Sequence, residues 1–168
     1  RLKRWPEASF AAALRAAGRP AVLIGSAEET GVLARVAAAL GGTPNAIFAG
    51  APADIATVAA LLAESRAWLG NDSGLMHLAQ AHEVPGVGIF GGGGRWPSYA
   101  PWAPGAAGIV HPLPCFGCDW DCMLGHALCV ESIPVTAVAA ALRSALDGQP
   151  TAPAIVALDE TPAGNEHV

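Results

Sequence analysis

The sequence predicts an α/β domain built on a parallel sheet with helices on both faces. Two observations carry this. Short apolar runs of three to five residues alternate with longer alanine-rich stretches of helical composition. Almost every apolar run ends in glycine before the next stretch begins. Apolar strands without period-two alternation are buried on both sides, which is the mark of βαβ units.

The elements follow in order. Pro6 and Glu7 suit a helix start, because proline fits the first turn and an acid favours it. That helix covers 7–17, with Gly18 as its stop. The run 21–24 (AVLI) reads as a strand ending at Gly25–Ser26. A helix over 28–40 ends at Gly41–Gly42. A second strand covers 46–48, and a helix follows over 54–64. The run 67–69 (AWL) is the third strand, and 73–81 the helix after it. The fourth strand, 86–90 (GVGIF), leads into four glycines, 91–94. A fifth strand covers 108–110, a cysteine-rich loop 111–130, and a last helix 134–146. One domain, 1–147, and a Pro/Ala-rich, loosely attached tail, 148–168, make up the chain.

The bulk numbers agree. A chain of 168 residues suits one ordinary domain. Its 52% hydrophobic and 14% charged content excludes a disordered chain. The net charge of −5 argues against nucleic acid as a partner. No apolar run approaches the roughly 18 residues that a membrane span needs. The chain opens on Arg1, so a preceding segment is expected.

Ligands of open parallel sheets bind at the carboxyl ends of the strands. Three loops share that edge: Gly25–Ser26, the 70–74 loop (GNDSG) and the 91–94 glycines. Glycine allows close backbone approach, and free N–H groups at a helix start favour phosphate. None is a Walker A loop, and the first crossover lacks G-x-G-x-x-G. Asp72 or Ser73 could instead be an ordinary N-cap. His77 lies one turn into the helix and could face the same edge.

The four cysteines, Cys115, Cys118, Cys122 and Cys129, are spaced C-x2-C-x3-C-x6-C, with His111 and His126 nearby. The spacing admits a structural zinc, an iron–sulfur cluster, two disulfides or simple packing.

The stretch WLGNDSGLMHLAQAHEVPGVGIFG, residues 68–91, resembles the signature of glycosyltransferase family 9, the ADP-heptose:lipopolysaccharide heptosyltransferases. LKRWP (2–6) is similar to that family's Lys-x-Trp-Pro segment, and VLIGSAEE (22–29) to its Phe-Gly-Ser segment. CFGCDWDCMLGHALCVESIPVTAV (115–138) is similar to a cysteine-bearing region of many members. The resemblance implies a GT-B fold, two Rossmann-like domains across a cleft, of which this chain resembles only the carboxyl-terminal, donor-binding half. It implies transfer of a sugar, heptose being the family's, from an ADP- or other NDP-sugar to a cell-envelope saccharide. The chemistry would be metal-independent inverting displacement, with no required cofactor. No catalytic base is expected in this chain: it would belong to an amino-terminal acceptor domain. The alternative is a non-catalytic nucleotide-sugar-binding module, or a partner of a separate acceptor domain. A cytoplasmic place is implied, with the inner face of the inner membrane as a candidate, and an exposed cleft face could drive homodimerisation.

The resemblance assigns donor-site roles residue by residue. Lys3 matches a phosphate-contacting lysine, though alone it reads as a solvated lysine near a terminus. Ser73 and Gly74 match the hydroxyl and N–H that hold the diphosphate. Asp72 and His77 match residues facing sugar and phosphates. An aspartate repels phosphate, so Asp72 should face sugar hydroxyls or cap the helix. Ser26 and Glu28 lie near the expected ribose, with Glu29 as the competing carboxylate. The 48–53 loop is a candidate wall of the base pocket. Gly91, Gly92 and Arg95 lie in FGGGGRWPSYAPW (90–102), where relatives carry Phe-Gly-Pro-Thr. Arg95 could reach a diphosphate or a charged sugar, or remain an exposed loop arginine.

Overall fold

The computed structural model describes residues 2–41, 46–49, 54–93, 98–148 and 152–158. The chain forms α1 (Glu7–Ala17), β1 (Val22–Gly25), a 3-10 turn (Ala27–Glu29), α2 (Thr30–Ala39) and β2 (Ala46–Ala49). Then follow α3 (Ile55–Ala63), β3 (Trp68–Asn71), α4 (Gly74–Ala81), β4 (Gly86–Phe90) and β5 (Ala106–Val110). A short α5 (Leu128–Glu131), α6 (Val135–Leu146) and β6 (Ala154–Ala157) complete it. All strand pairs are parallel. Every expected helix and strand is present within a few residues. Gly18 ends α1 in the left-handed region, φ 64°, and its N–H bonds the carbonyls of Leu14 and Arg15.

Two features depart from the expectation. The stretch read as a tail supplies β6, which pairs with β5 from Ala107↔Ala154 to Val110↔Ala157. All four of its residues are exposed. Its sequence, AIVA, is an apolar run like those of the other strands, and the Pro- and Ala-rich flanks make it read as a tail. The strands also form two groups, β1-β2 and β3-β4-β5-β6, rather than one sheet. Among the described residues no ladder joins β1 to β3. Side chains bridge where backbones do not: Ile24 packs against the cluster of Val58, Leu62 and Trp68. A cavity of about 1590 Å³ opens between β1 and β3 and reaches Ser26, Ser73 and Gly74 at its upper end.

Alternation along the central strands builds two cores. Val87, Ile89 and Ile109 join Trp5, Val138 and Leu142 on the α6 side. Trp68, Phe90 and Val110 join Val58, Leu62 and Met76 on the α3–α4 side. Every residue of β4 is buried, as a strand covered on both faces requires. No helix among the described residues is long and apolar enough to cross a membrane.

Candidate functional site

The site starts from Trp5. Its side chain is fully buried in the α6-side core. The indole Nε1–H donates to the Ile133 carbonyl at 3.1 Å, and the ring meets Phe10 edge-on at 5.1 Å. Its backbone N–H donates to Asn71 Oδ1 at 3.0 Å. One buried tryptophan thus ties the 2–6 segment to the carboxyl end of β3. That anchor brings Lys3 to Asp72, with Nζ 3.0 Å from Oδ2. Sixty-nine positions separate the two, and the sequence offered no local signal that they meet.

The α4 helix begins immediately after. Ser73 is its N-cap residue in extended conformation, φ −153° and ψ 166°, and its side chain makes no cap hydrogen bond. Asp72 is engaged with Lys3 instead. The first N–H groups of a helix have no partner within it. Those of Gly74 and Leu75 therefore face the strand edge without a side-chain cap. Ser73 and Gly74 are exposed, and nothing lies within 4 Å of where a Cβ on Gly74 would be. By contrast, α3 is capped by Asp54, which accepts from the Thr57 N–H at 2.7 Å. That hydrogen bond holds the Asp54 carboxyl below its ordinary range.

In the β1 loop the two carboxylates have different surroundings. Glu29 is occupied: its Oε2 accepts from the Ser26 N–H at 3.0 Å, and its Oε1 lies 3.4 Å from Arg4 Nη2. Glu28 is exposed. A hydrogen bond from Ser26 holds its carboxyl below the usual range, so it is charged at neutral pH and open to solvent. His77, half-buried, meets Tyr99 edge-on at 5.9 Å. Arg95 and the 50–53 loop lie outside the described residues.

Gly91 and Gly92 follow β4 directly. Both are buried, and the Gly92 peptide is already used. Its N–H donates to Cys129 Sγ at 3.4 Å, and its carbonyl accepts from the Gly117 N–H at 2.9 Å. A Cβ on Gly91 would stand 2.6 Å from Val130 Cγ2 and 2.8 Å from Trp120 Cη2. At both positions the cysteine-rich loop lies close to where a side chain would stand.

The cysteines are free thiols. Cys122 donates to the His126 carbonyl at 3.0 Å, and Cys118 faces the Gly92 carbonyl at 3.9 Å. Burial pushes the Cys129 thiol up from its ordinary value. Among the described residues no group of three or more His, Cys, Asp or Glu side chains is arranged to hold a metal ion. The spacing of Cys115, Cys118, Cys122 and Cys129 admitted a structural zinc among other readings, and no such ligand set stands among the described residues. The sulfurs of Cys118, Cys122 and Cys129 each contact a backbone group.

Trp120 went unnoticed in the sequence. Its ring centroid lies 5.0 Å from Lys3 Nζ. Only its place within a cysteine-rich loop could have pointed to it.

The family model of Glycosyltransferase family 9 (heptosyltransferase) matches residues 1–119. No curated protein and no solved structure matches the chain significantly.

Proposed function

The chain belongs to glycosyltransferase family 9, and from that premise we propose that it binds the nucleotide-sugar donor of a sugar transfer. One observation carries the reading. A lysine ammonium and the uncapped start of α4 stand together at the carboxyl edge of the sheet. Helix N-termini present N–H donors and a positive dipole end to anions. A departing nucleoside diphosphate gathers negative charge as its glycosidic bond breaks. Cationic and N–H groups fixed where that charge develops lower the barrier.

In this reading Lys3, the Ser73 hydroxyl and the Gly74 N–H receive the diphosphate. Its arrival competes with Asp72 for Lys3 and frees the carboxylate to accept from sugar hydroxyls. Glu28 faces solvent near Ser26, where a carboxylate can accept both ribose hydroxyls. Displacement proceeds without a metal and with inversion. The base that activates the acceptor comes from an acceptor domain outside this chain, and the acceptor is a cell-envelope saccharide. Heptose is the family's sugar; the glycine-rich 91–94 segment, unlike the family's Phe-Gly-Pro-Thr, leaves the sugar to be assigned by experiment.

Calorimetric titration of the folded chain with ADP, UDP and GDP tests the reading. Binding of one of them below millimolar concentration is expected. Heat from none of the three would overturn it.

A further inference from the structure

We propose that Trp120 is a positioning residue that holds the Lys3 ammonium at the α4 start while phosphate displaces Asp72 from it. The inference rests on the reading of Lys3 as a phosphate contact.

Lys3 has two partners. Asp72 Oδ2 lies 3.0 Å from its Nζ, and the face of Trp120 lies 5.0 Å away. The lysine is half-exposed, at 49%, on a stem of four methylenes. A solvated ion pair of that kind contributes little and gives way to a competing anion. A diphosphate is such an anion. The indole face responds differently. It attracts the ammonium through its quadrupole, carries no net charge and does not repel phosphate. Arrival of the ligand exchanges one carboxylate for another anion and leaves the aromatic partner in place.

The chain around Trp120 is built to hold that ring. Asp119 and Trp120 both have positive φ, 50° and 66°. Aspartate tolerates the left-handed region, but a tryptophan there is costly and persists only where its surroundings impose it. The surroundings are identifiable. A Cβ on Gly93 would come 2.1 Å from Trp120 Nε1, and one on Gly91 2.8 Å from its Cη2. The ring therefore lies against the glycine segment after β4, where any side chain would lift it. The thiols complete the arrangement: Cys118 and Cys129 both contact the Gly92 peptide. The cysteine-rich loop works as a bracket for one aromatic ring.

The test is a double-mutant cycle on the full chain, using whichever of ADP, UDP and GDP binds the wild type. Trp120→Leu should weaken that nucleotide about threefold to fivefold, as expected for loss of one cation–π contact. Trp120→Phe, which keeps an aromatic face, should restore most of the loss. In a Lys3→Ala background, Trp120→Leu should change nothing further. A purely structural role would give the same loss with or without Lys3, and that result overturns the proposal. So does unchanged affinity in Trp120→Leu.

If Trp120→Leu folds poorly, tryptophan emission decides. Nucleotide should shift the wild-type emission, and Trp120→Phe should lack that shift. The same shift in both proteins overturns the proposal. A wild type that binds none of the three nucleotides sinks the functional reading and this inference with it. Binding by the wild type with an indifferent Trp120→Leu sinks the inference alone.

Discussion

Two glycine-bearing loops leave the sheet side by side, one after β3 and one after β4, and they do opposite things. The loop after β3 ends in an exposed, uncapped helix start at Ser73 and Gly74. After β4, Gly91 and Gly92 are buried, and Gly92 is hydrogen-bonded through both its N–H and its carbonyl. In sequence the two look alike: an apolar run, then glycine. Glycine at a strand end does not say whether the space beside it is open, as at Gly70 and Gly74, or filled by the protein's own side chains, as at Gly91. Which of the two holds is a tertiary fact.

Alanine at the two positions should separate them most sharply. Gly91→Ala forces a methyl into Val130 and Trp120, and overpacking of that kind costs about 1–3 kcal/mol. Gly74→Ala has open space around it and should stay within about 0.5 kcal/mol of wild type. Urea denaturation measures both. Equal costs would erase the distinction.

Charge at the β3 loop gives the next effect. Lys3→Ala removes a cation and its charge-assisted hydrogen bonds. It should weaken nucleoside diphosphate binding roughly tenfold, with little change in unfolding midpoint, because the Lys3–Asp72 pair is exposed. Isothermal titration and a thermal melt check the two halves of that statement.

A chemical probe sharpens the other loop. Thiolate, not thiol, attacks alkylating agents. The Cys129 thiol is pushed up by burial beneath the β4 loop. At mildly alkaline pH it should react with iodoacetamide about tenfold more slowly than Cys115, Cys118 or Cys122. Site-resolved mass spectrometry reads the rates. Fast labelling of Cys129 would mean that the β4 loop is open.

How much of this was legible beforehand follows the same physics. The βα units from Glu7 to Phe90 could be read, because buried parallel strands and alanine-rich helices differ in length and punctuation. The segment resemblance correctly named the family that matches residues 1–119. β6 was missed although AIVA (154–157) is as apolar as 46–48 or 108–110, because its Pro- and Ala-rich flanks read as a tail. The separation of β1-β2 from the other strands carried no sequence signal. At the candidate site, Lys3, Asp72, Ser73 and Gly74 were each legible as residues of interest. What escaped was their wiring. Trp5 and Asn71 set the anchor and Trp120 supplies the aromatic face, because each contact joins distant positions that share no local pattern.

Amide chemical shifts measure the contrast most directly. The chain is labelled with nitrogen-15 and titrated with the nucleoside diphosphate that binds it. The N–H resonances of Gly74 and Leu75 should move progressively with ligand, while that of Gly92, bonded to Cys129, stays nearly still. Large movement of Gly92 with Gly74 and Leu75 unmoved would place the anion on the β4 loop and contradict the account.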